Sequence, residues 1–283
     1  DDIVALIDMA EAKTAENSTY FLNIAFNYGG SLGGLDLVNA KLKFTQTNDY
    51  LSIDTNSIKP LITDKTKAIW SVDYGGYSVN QSEIRAICEE YKLWFVSDAA
   101  QSLGAFSNGL PSSSLADVWV TSMTYGKTLY TGEGATILTN NKTIYQKLLS
   151  YTHPNRVRLE VSLDDYTEIV PINGRINPLA VVMGKAIFFD ALDNLKIYQK
   201  ACFELLEWLK FQHEISLPKI PKDDLPSFFY VFAYINDLAN LNTINQRLKA
   251  VGLPFYAQPL NLSSLSSNHP VPTNLLNFQY QAL

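Results

Sequence analysis

The stretch from 66 to 97 constrains the fold more than any other. "TKAIWSV" (66–72) is an apolar run of strand length that ends near the glycines of "DYGGYS". "NQSEIRAICEEY" (80–91) follows, with Asn80 and Glu83 at capping-box spacing. Ile84, Ile87, Cys88 and Tyr91 recur at i, i+3, i+4 and i+7, which marks one face of an amphipathic helix. "LWFVS" (93–97) is then apolar almost throughout, as buried parallel strands are. Strand, helix and strand in this rhythm make a βαβ unit and predict an α/β sheet. "DVWVTS" (117–122) and "GATILTN" (134–140) read as two further strands.

Beyond residue 175 the pattern changes. "INPLAVVMGKAIFFDALDNL" (176–195) is strongly apolar and helical, and "YQKACFELLEWLKFQ" (198–212) reads as a second helix. "LPSFFYVFAYIND" (225–237) reads as an aromatic-rich strand. In "LANLNTINQRLKAVG" (238–252), Leu238, Leu241, Leu248 and Val251 fall on or near one helical face, with Gly252 as the stop. The reading is a large α/β domain over residues 1–195 and a smaller α+β domain over 196–283. The chain begins at "DDIVALIDMAEA", already inside a helical pattern, and ends at "NFQYQAL" with no stop signal. It reads as a piece of a longer protein.

Bulk composition removes several function classes. The 283 residues are 47% hydrophobic and 18% charged, which suits a soluble chain with a sizeable core. A net charge of -6 argues against nucleic acid as a partner, since phosphate binding needs a basic face. No apolar run reaches the roughly 20 residues that span a bilayer. His153, His213 and His269 lie far apart, without metal-ligand spacing, so no metal is assigned. Cys88, on the apolar face of its helix, and Cys202 read as buried thiols, which fits a reducing, cytoplasmic setting.

Ligands of α/β sheets bind beyond the carboxyl ends of the strands. "LWFVS" runs into Asp98, and "DVWVT" runs into Ser122, five residues before Lys127. A carboxylate, a hydroxyl and an amine therefore gather at one edge. Lys127 is the single lysine of "SMTYGKTLYTGEG" (122–134), a stretch in which the nearest charge is Glu133. An acid and an amine at such an edge can form a structural ion pair. They can also hold a pyridine aldehyde, whose Schiff base forms on a lysine and whose ring nitrogen often has an acidic partner.

"DAAQSLGA", then "SMTYGKTLYTGEGA", then "INGRI" resemble the DegT/DnrJ/StrS family of sugar aminotransferases. "DTNSIKPLITDKTKAIWSVDYGG" and "GLPFYAQPLN" are similar to its stretches before the cofactor aspartate and in its C-terminal domain. The resemblance implies fold type I (aspartate aminotransferase-like) and the cofactor pyridoxal 5'-phosphate (PLP). Lys127 is then the Schiff-base lysine and later the proton carrier, and Asp98 keeps the ring nitrogen protonated. Gln101 matches the position that contacts the ring hydroxyl or the substrate, and Ser122 matches a phosphate ligand. Asn173 matches a residue that reaches the phosphate of the neighbouring subunit, which implies a homodimer with shared sites. Tyr28, in "FNYGGSLGGLDLVNAK" (26–41), is the best register for an aromatic residue against the ring. The family's upstream Gly-Thr turn, a phosphate site at a helix N-terminus, belongs just before or around Asp1.

The reaction implied moves an amino group from glutamate, leaving 2-oxoglutarate, to a nucleotide-linked keto sugar. Such steps serve amino-sugar biosynthesis for surface polysaccharides or natural products. Lys127 argues against the dehydratases of the family, which carry histidine there. A non-catalytic or regulatory member of the same fold is the alternative.

Overall fold

The computed structural model describes residues 21–24, 41–49, 51–152, 174, 176–260 and 274–280. Its larger sheet is built from β1 (Phe21–Ile24), β2 (Lys41–Phe44), β3 (Thr66–Val72), β4 (Trp94–Asp98), β7 (Val118–Ser122) and β8 (Ala135–Leu138). The order is β2-β1-β3-β4-β7-β8. Every pairing is parallel except that of β7 with β8. A short separate ribbon pairs β5 (Phe106–Ser107) with β6 (Leu110–Pro111).

The crossover helix α1 (Gln81–Tyr91) follows its sequence pattern closely. The Asn80 side chain accepts from the Glu83 backbone N–H at 3.3 Å and so satisfies one of the open donors of the first turn. The Glu83 carboxylate does not return to Asn80; it accepts from the Thr55 hydroxyl instead. Ile84, Ile87 and Cys88 are buried beside Ile69 and Phe95 of the sheet. Full burial of a side chain such as Ile84 is worth about 2 kcal/mol. Tyr91, expected on the same face, is exposed, because the face rotates out of the core in the last turn.

One helix corrects the sequence reading. Residues expected as two helices form a single α3 (Pro178–Leu209) of 32 residues, and residue 196 falls inside it. Nothing between 194 and 200 breaks a helix: "NLKIYQK" has neither glycine nor proline. The Asn177 side chain caps its start by accepting from Leu179 N–H at 2.9 Å. The second half buries Cys202, Leu205, Leu206 and Leu209, while Leu179, Val182 and Phe189 of the first half are exposed.

A four-stranded antiparallel sheet packs against the second half of α3. Its order is β11-β12-β10-β9, from β9 (Ile215–Ser216), β10 (Val231–Ile235), β11 (Phe255–Pro259) and β12 (Leu275–Tyr280). The aromatic strand expected over 225–237 is shorter than its sequence suggests. Phe228 adopts φ 56, outside the extended region, so pairing starts only at Val231. Helix α4 (Leu241–Ala250) buries Ile244 and Leu248, with Leu241 partly covered. Leu238 and Val251, expected on that face, are exposed. Gly252, at φ +73, ends the helix as expected, and Leu253 N–H closes back to Leu248 O at 3.1 Å. This core is continuous with the large sheet through Val72, Tyr74 and Tyr77.

Helix α2 (Lys142–Thr152) follows β8. Among the described residues, no helix is long and apolar enough to cross a membrane. Cys88 and Cys202 are buried free thiols, and burial pushes both up to about 12, so neither is a nucleophile near neutral pH.

Candidate active site

Strand register decides which side chains meet. Val72 of β3 pairs with Asp98 of β4, and Asp98 pairs with Val120 of β7. The parallel strands β3, β4 and β7 therefore end together, and Asp73, Asp98 and Ser122 share one carboxyl edge of the sheet. That is where an open α/β sheet binds its ligand.

Asp98 is half-buried, and its carboxylate accepts from Ala100 N–H at 3.0 Å, which tightens the turn after β4. Gln101 is buried one turn on, and its Oε1 accepts from Gly75 N–H at 2.7 Å. Because the partner is a donor, the oxygen end of the amide is fixed. Its NH2 end makes no hydrogen bond among the described residues, so it keeps two donors for a ligand. The Ser122 hydroxyl is bonded to the Thr124 hydroxyl at 2.8 Å and accepts from Thr124 N–H at 3.3 Å. It folds the start of the lysine loop and has capacity left for one more partner.

Lys127 lies on that loop, after Gly126 at φ +80, a left-handed position that few other residues hold without strain. Lys127 N–H donates to Thr124 O at 3.2 Å and closes the turn. The side chain is half-buried, and its amine makes no hydrogen bond or ion pair among the described residues. Nζ sits 4.4 Å from the centroid of the Phe229 ring. Burial lowers the Lys127 pKa from its ordinary value, and the negative charge of Asp98 opposes the shift. A cavity of about 650 Å³ opens beside it, lined by Lys127, Tyr130, Met183, Asp190, Asn194 and Phe229 among others. Asp98, Gln101 and Ser122 do not line that cavity. Asp98 and Ser122 stand at the strand ends instead, and among these four residues Lys127 alone lines the cavity. Tyr28 and Asn173 lie outside the described residues.

Two contributors escaped the sequence reading. Asp73 is fully buried just after β3. Its carboxylate accepts from the Ser102 hydroxyl at 2.7 Å, the Ser113 hydroxyl at 3.1 Å, the Val79 N–H at 3.0 Å, and the Ser112 hydroxyl. Its own N–H donates to Asp98 O at 3.0 Å. Asp73 thus locks the ends of β3 and β4 together, beside the residues that face the ligand edge. An acid directly after an apolar strand was the available signal, since the same pattern marks Asp98.

Phe229 is the other contributor, hidden inside what reads as a strand. Ser227 N–H donates to Gly76 O at 2.9 Å, Tyr230 N–H donates to Gly75 O at 3.0 Å, and the Ser227 hydroxyl donates to Gln101 O at 2.7 Å. A Cβ on Gly76 would stand 2.2 Å from Ser227 Oγ and 2.9 Å from Gln101 O, so only glycine lets these segments approach. The 227–230 segment is pinned to the carboxyl edge, and Phe229 is carried beneath Lys127.

The sequence profile of the DegT/DnrJ/EryC1/StrS aminotransferase family matches residues 9–268. Among curated proteins, the chain is 27% identical over 199 residues to GDP-perosamine synthase of Escherichia coli O157:H7, covering 64% of this chain and 54% of that protein. It is 28% identical over 244 residues to UDP-2-acetamido-2-deoxy-3-oxo-D-glucuronate aminotransferase of Pseudomonas aeruginosa, covering 83% of this chain and 65% of that one. The chain spans little more than half the length of the first of these. A DegT DnrJ EryC1 StrS aminotransferase from Brucella abortus superposes with a TM-score of 0.77 at 18% identity, covering 97% of this chain and 78% of the other. A likeness at that identity establishes the fold, which is the fold type I architecture that the sequence motifs anticipate.

Proposed function

Since the chain belongs to the DegT/DnrJ/EryC1/StrS aminotransferase family, we propose that it works as a PLP-dependent aminotransferase that moves an amino group from glutamate to a nucleotide-linked keto sugar. The observation that carries this reading is Lys127. It is a half-buried amine with a lowered pKa and no hydrogen-bonded partner among the described residues, beside the strand end that bears Asp98. Only a neutral amine attacks an aldehyde or takes a proton, and burial favours the neutral form.

The residues present suit PLP. Lys127 can bond the aldehyde carbon, and Asp98 can hold a protonated ring nitrogen. Gln101 has an amide NH2 free for the ring hydroxyl or the substrate, while Ser122 retains hydrogen-bonding capacity for a phosphate oxygen. When bound, the cofactor supplies an electron sink for a carbanion at the amino carbon. With the cofactor in place, Lys127 Nζ would be the base that accepts the proton of the donor's alpha carbon and the acid that gives it back to the cofactor-bound carbon skeleton. Phe229 and the 227–230 segment close one side of the amine against water.

Several finer assignments belong to the same proposal. Tyr28 lies against the ring, and Asn173 reaches the phosphate of a neighbouring subunit. A homodimer with shared sites suits the exposed apolar first half of α3, where Leu179 and Phe189 are each 76% exposed. A large unit over 1–195 and a small one over 196–283 share α3 as a common spine. A cytoplasmic setting suits two buried free thiols.

The test is spectroscopic. The purified chain mixed with PLP is expected to develop an absorption band that glutamate bleaches, and Lys127→Ala is expected to develop none. Transfer of labelled nitrogen from glutamate to a panel of nucleotide-linked keto sugars then identifies the substrate. A full-length protein without the band would sink the enzyme reading and favour a non-catalytic member of the fold.

A further inference from the structure

The Lys127 amine lies over an aromatic face and makes no hydrogen bond or ion pair among the described residues. The distance of 4.4 Å from Nζ to the Phe229 centroid is well inside the range at which a ring quadrupole attracts an ammonium. Phe229 is not placed there by chance packing. Ser227 N–H, Tyr230 N–H and the Ser227 hydroxyl tie its segment to Gly76, Gly75 and Gln101. The ring also packs edge-on against Tyr230, with centroids 4.8 Å apart.

We propose that Phe229 is the seat of the free Lys127 ammonium, a positioning residue that holds the amine when it is not covalently engaged and governs how readily it gives up its proton. A carboxylate seat would hold the ammonium too firmly, because a salt bridge in a half-dry site strongly favours the charged form. Water would leave the amine undirected. An aromatic face offers intermediate attraction, one-sided and without a proton of its own to exchange.

The direction of the effect is opposite to that of burial. Burial disfavours the ammonium; the ring and Asp98 favour it. Among the described residues, Asp98 from the end of β4 is the charged group that acts on Lys127, while Asp190 and Tyr198 from α3 and Tyr130 from its own loop line the same cavity. All stay in place when Phe229 alone is changed. The proposal rests on the reading of Lys127 as the reactive lysine, but its test does not require the cofactor.

The experiment is competitive acetylation of the whole chain, stripped of bound aldehyde with hydroxylamine. Modification of Lys127 is followed by mass spectrometry as a function of pH, with Lys127→Ala as the blank. Phe229→Leu removes the ring and keeps the bulk. It is expected to label about fivefold faster at neutral pH, equivalent to about 1 kcal/mol and within the range of cation–π contacts. The midpoint of its pH profile is expected to fall while the plateau at high pH is unchanged. Phe229→Trp, with the stronger quadrupole, is expected to move the midpoint upward, and it carries the test if the leucine variant does not fold. A midpoint that stays put in both variants overturns the proposal, as does a change confined to the plateau, which reports only access. If the midpoint moves but PLP gives no absorption band, the seat stands and the transaminase reading falls. If the band forms and the midpoint is fixed, the reverse holds.

Discussion

Asp73 and Lys127 are both ionisable residues withdrawn from water near the same edge of the sheet, and they are compensated in opposite ways. Asp73 is fully buried and accepts from three serine hydroxyls and a backbone N–H. Lys127 is half-buried, and its amine has an aromatic ring in place of an acceptor. A buried group whose bonding capacity is filled acts as scaffold, since every partner is lost if it goes. A group left unfilled is held at some cost to stability and is free to react. Hydrogen bonds go to the residue that fixes the strand ends and not to the amine that we propose does the chemistry.

The largest effect expected follows from that contrast. Asp73→Ala leaves the hydroxyls of Ser102, Ser112 and Ser113 around a dry void and is expected to cost about 3 kcal/mol or more. Lys127→Ala is expected to cost about 1 kcal/mol at most, because no hydrogen bond or ion pair is broken and only the contact with the Phe229 ring is lost. Urea unfolding of the two variants side by side measures both, and comparable losses would erase the distinction.

The second effect is a pH dependence. Burial raises the Asp73 carboxyl above the ordinary carboxylate range, against hydrogen bonds from Ser112, Ser102, Val79 and Ser113. The native state therefore keeps a proton that the unfolded chain releases at about pH 4. Stability tied to that proton is fully present below this pH and is lost as pH rises through the raised native value. Asp73→Asn has no such proton to lose. Its stability relative to the wild type is expected to improve as pH rises from about 4; a difference that is flat with pH would mean that the hydrogen bonds offset burial, and one that worsens would mean that they outweigh it.

The smallest effect dissects the cradle. Ser102→Ala removes one of several donors to Asp73 and is expected to cost about 1 kcal/mol, since the remaining donors still satisfy the carboxylate. Thermal unfolding measures it. A loss as large as that of Asp73→Ala would show that Ser102 holds the Gln101 turn as well as the acid.

Much of this site is legible in the chain. β3 occupies the residues that its apolar run marks, α1 starts where Asn80 caps it, and Asp98, Ser122 and Lys127 fall at strand ends or in the loop beyond. These features follow from local chemistry: side-chain period, cap and turn. Phe229 could not be read in the same way. Its segment looks like strand because Phe, Tyr and Val favour strands. It leaves that conformation at Phe228 because Ser227 and Tyr230 bond to residues about 150 positions away. Asp73 is similar, since its three serines lie 29 to 40 residues further along the chain.

Residue order alone is enough to read the alternation of strand and helix, the carboxyl-edge positions of Asp98 and Ser122, the loop that carries Lys127, and the family to which the chain belongs. Each depends on residue type and spacing over a few turns of chain. Tertiary structure alone decided that two apparent helices are one, that Asp73 is satisfied by hydroxyls, and that an aromatic ring from beyond α3 lies under the lysine. The physical reason is range: propensity and periodicity act between neighbours, whereas burial and hydrogen-bond satisfaction depend on whichever distant segment completes the packing.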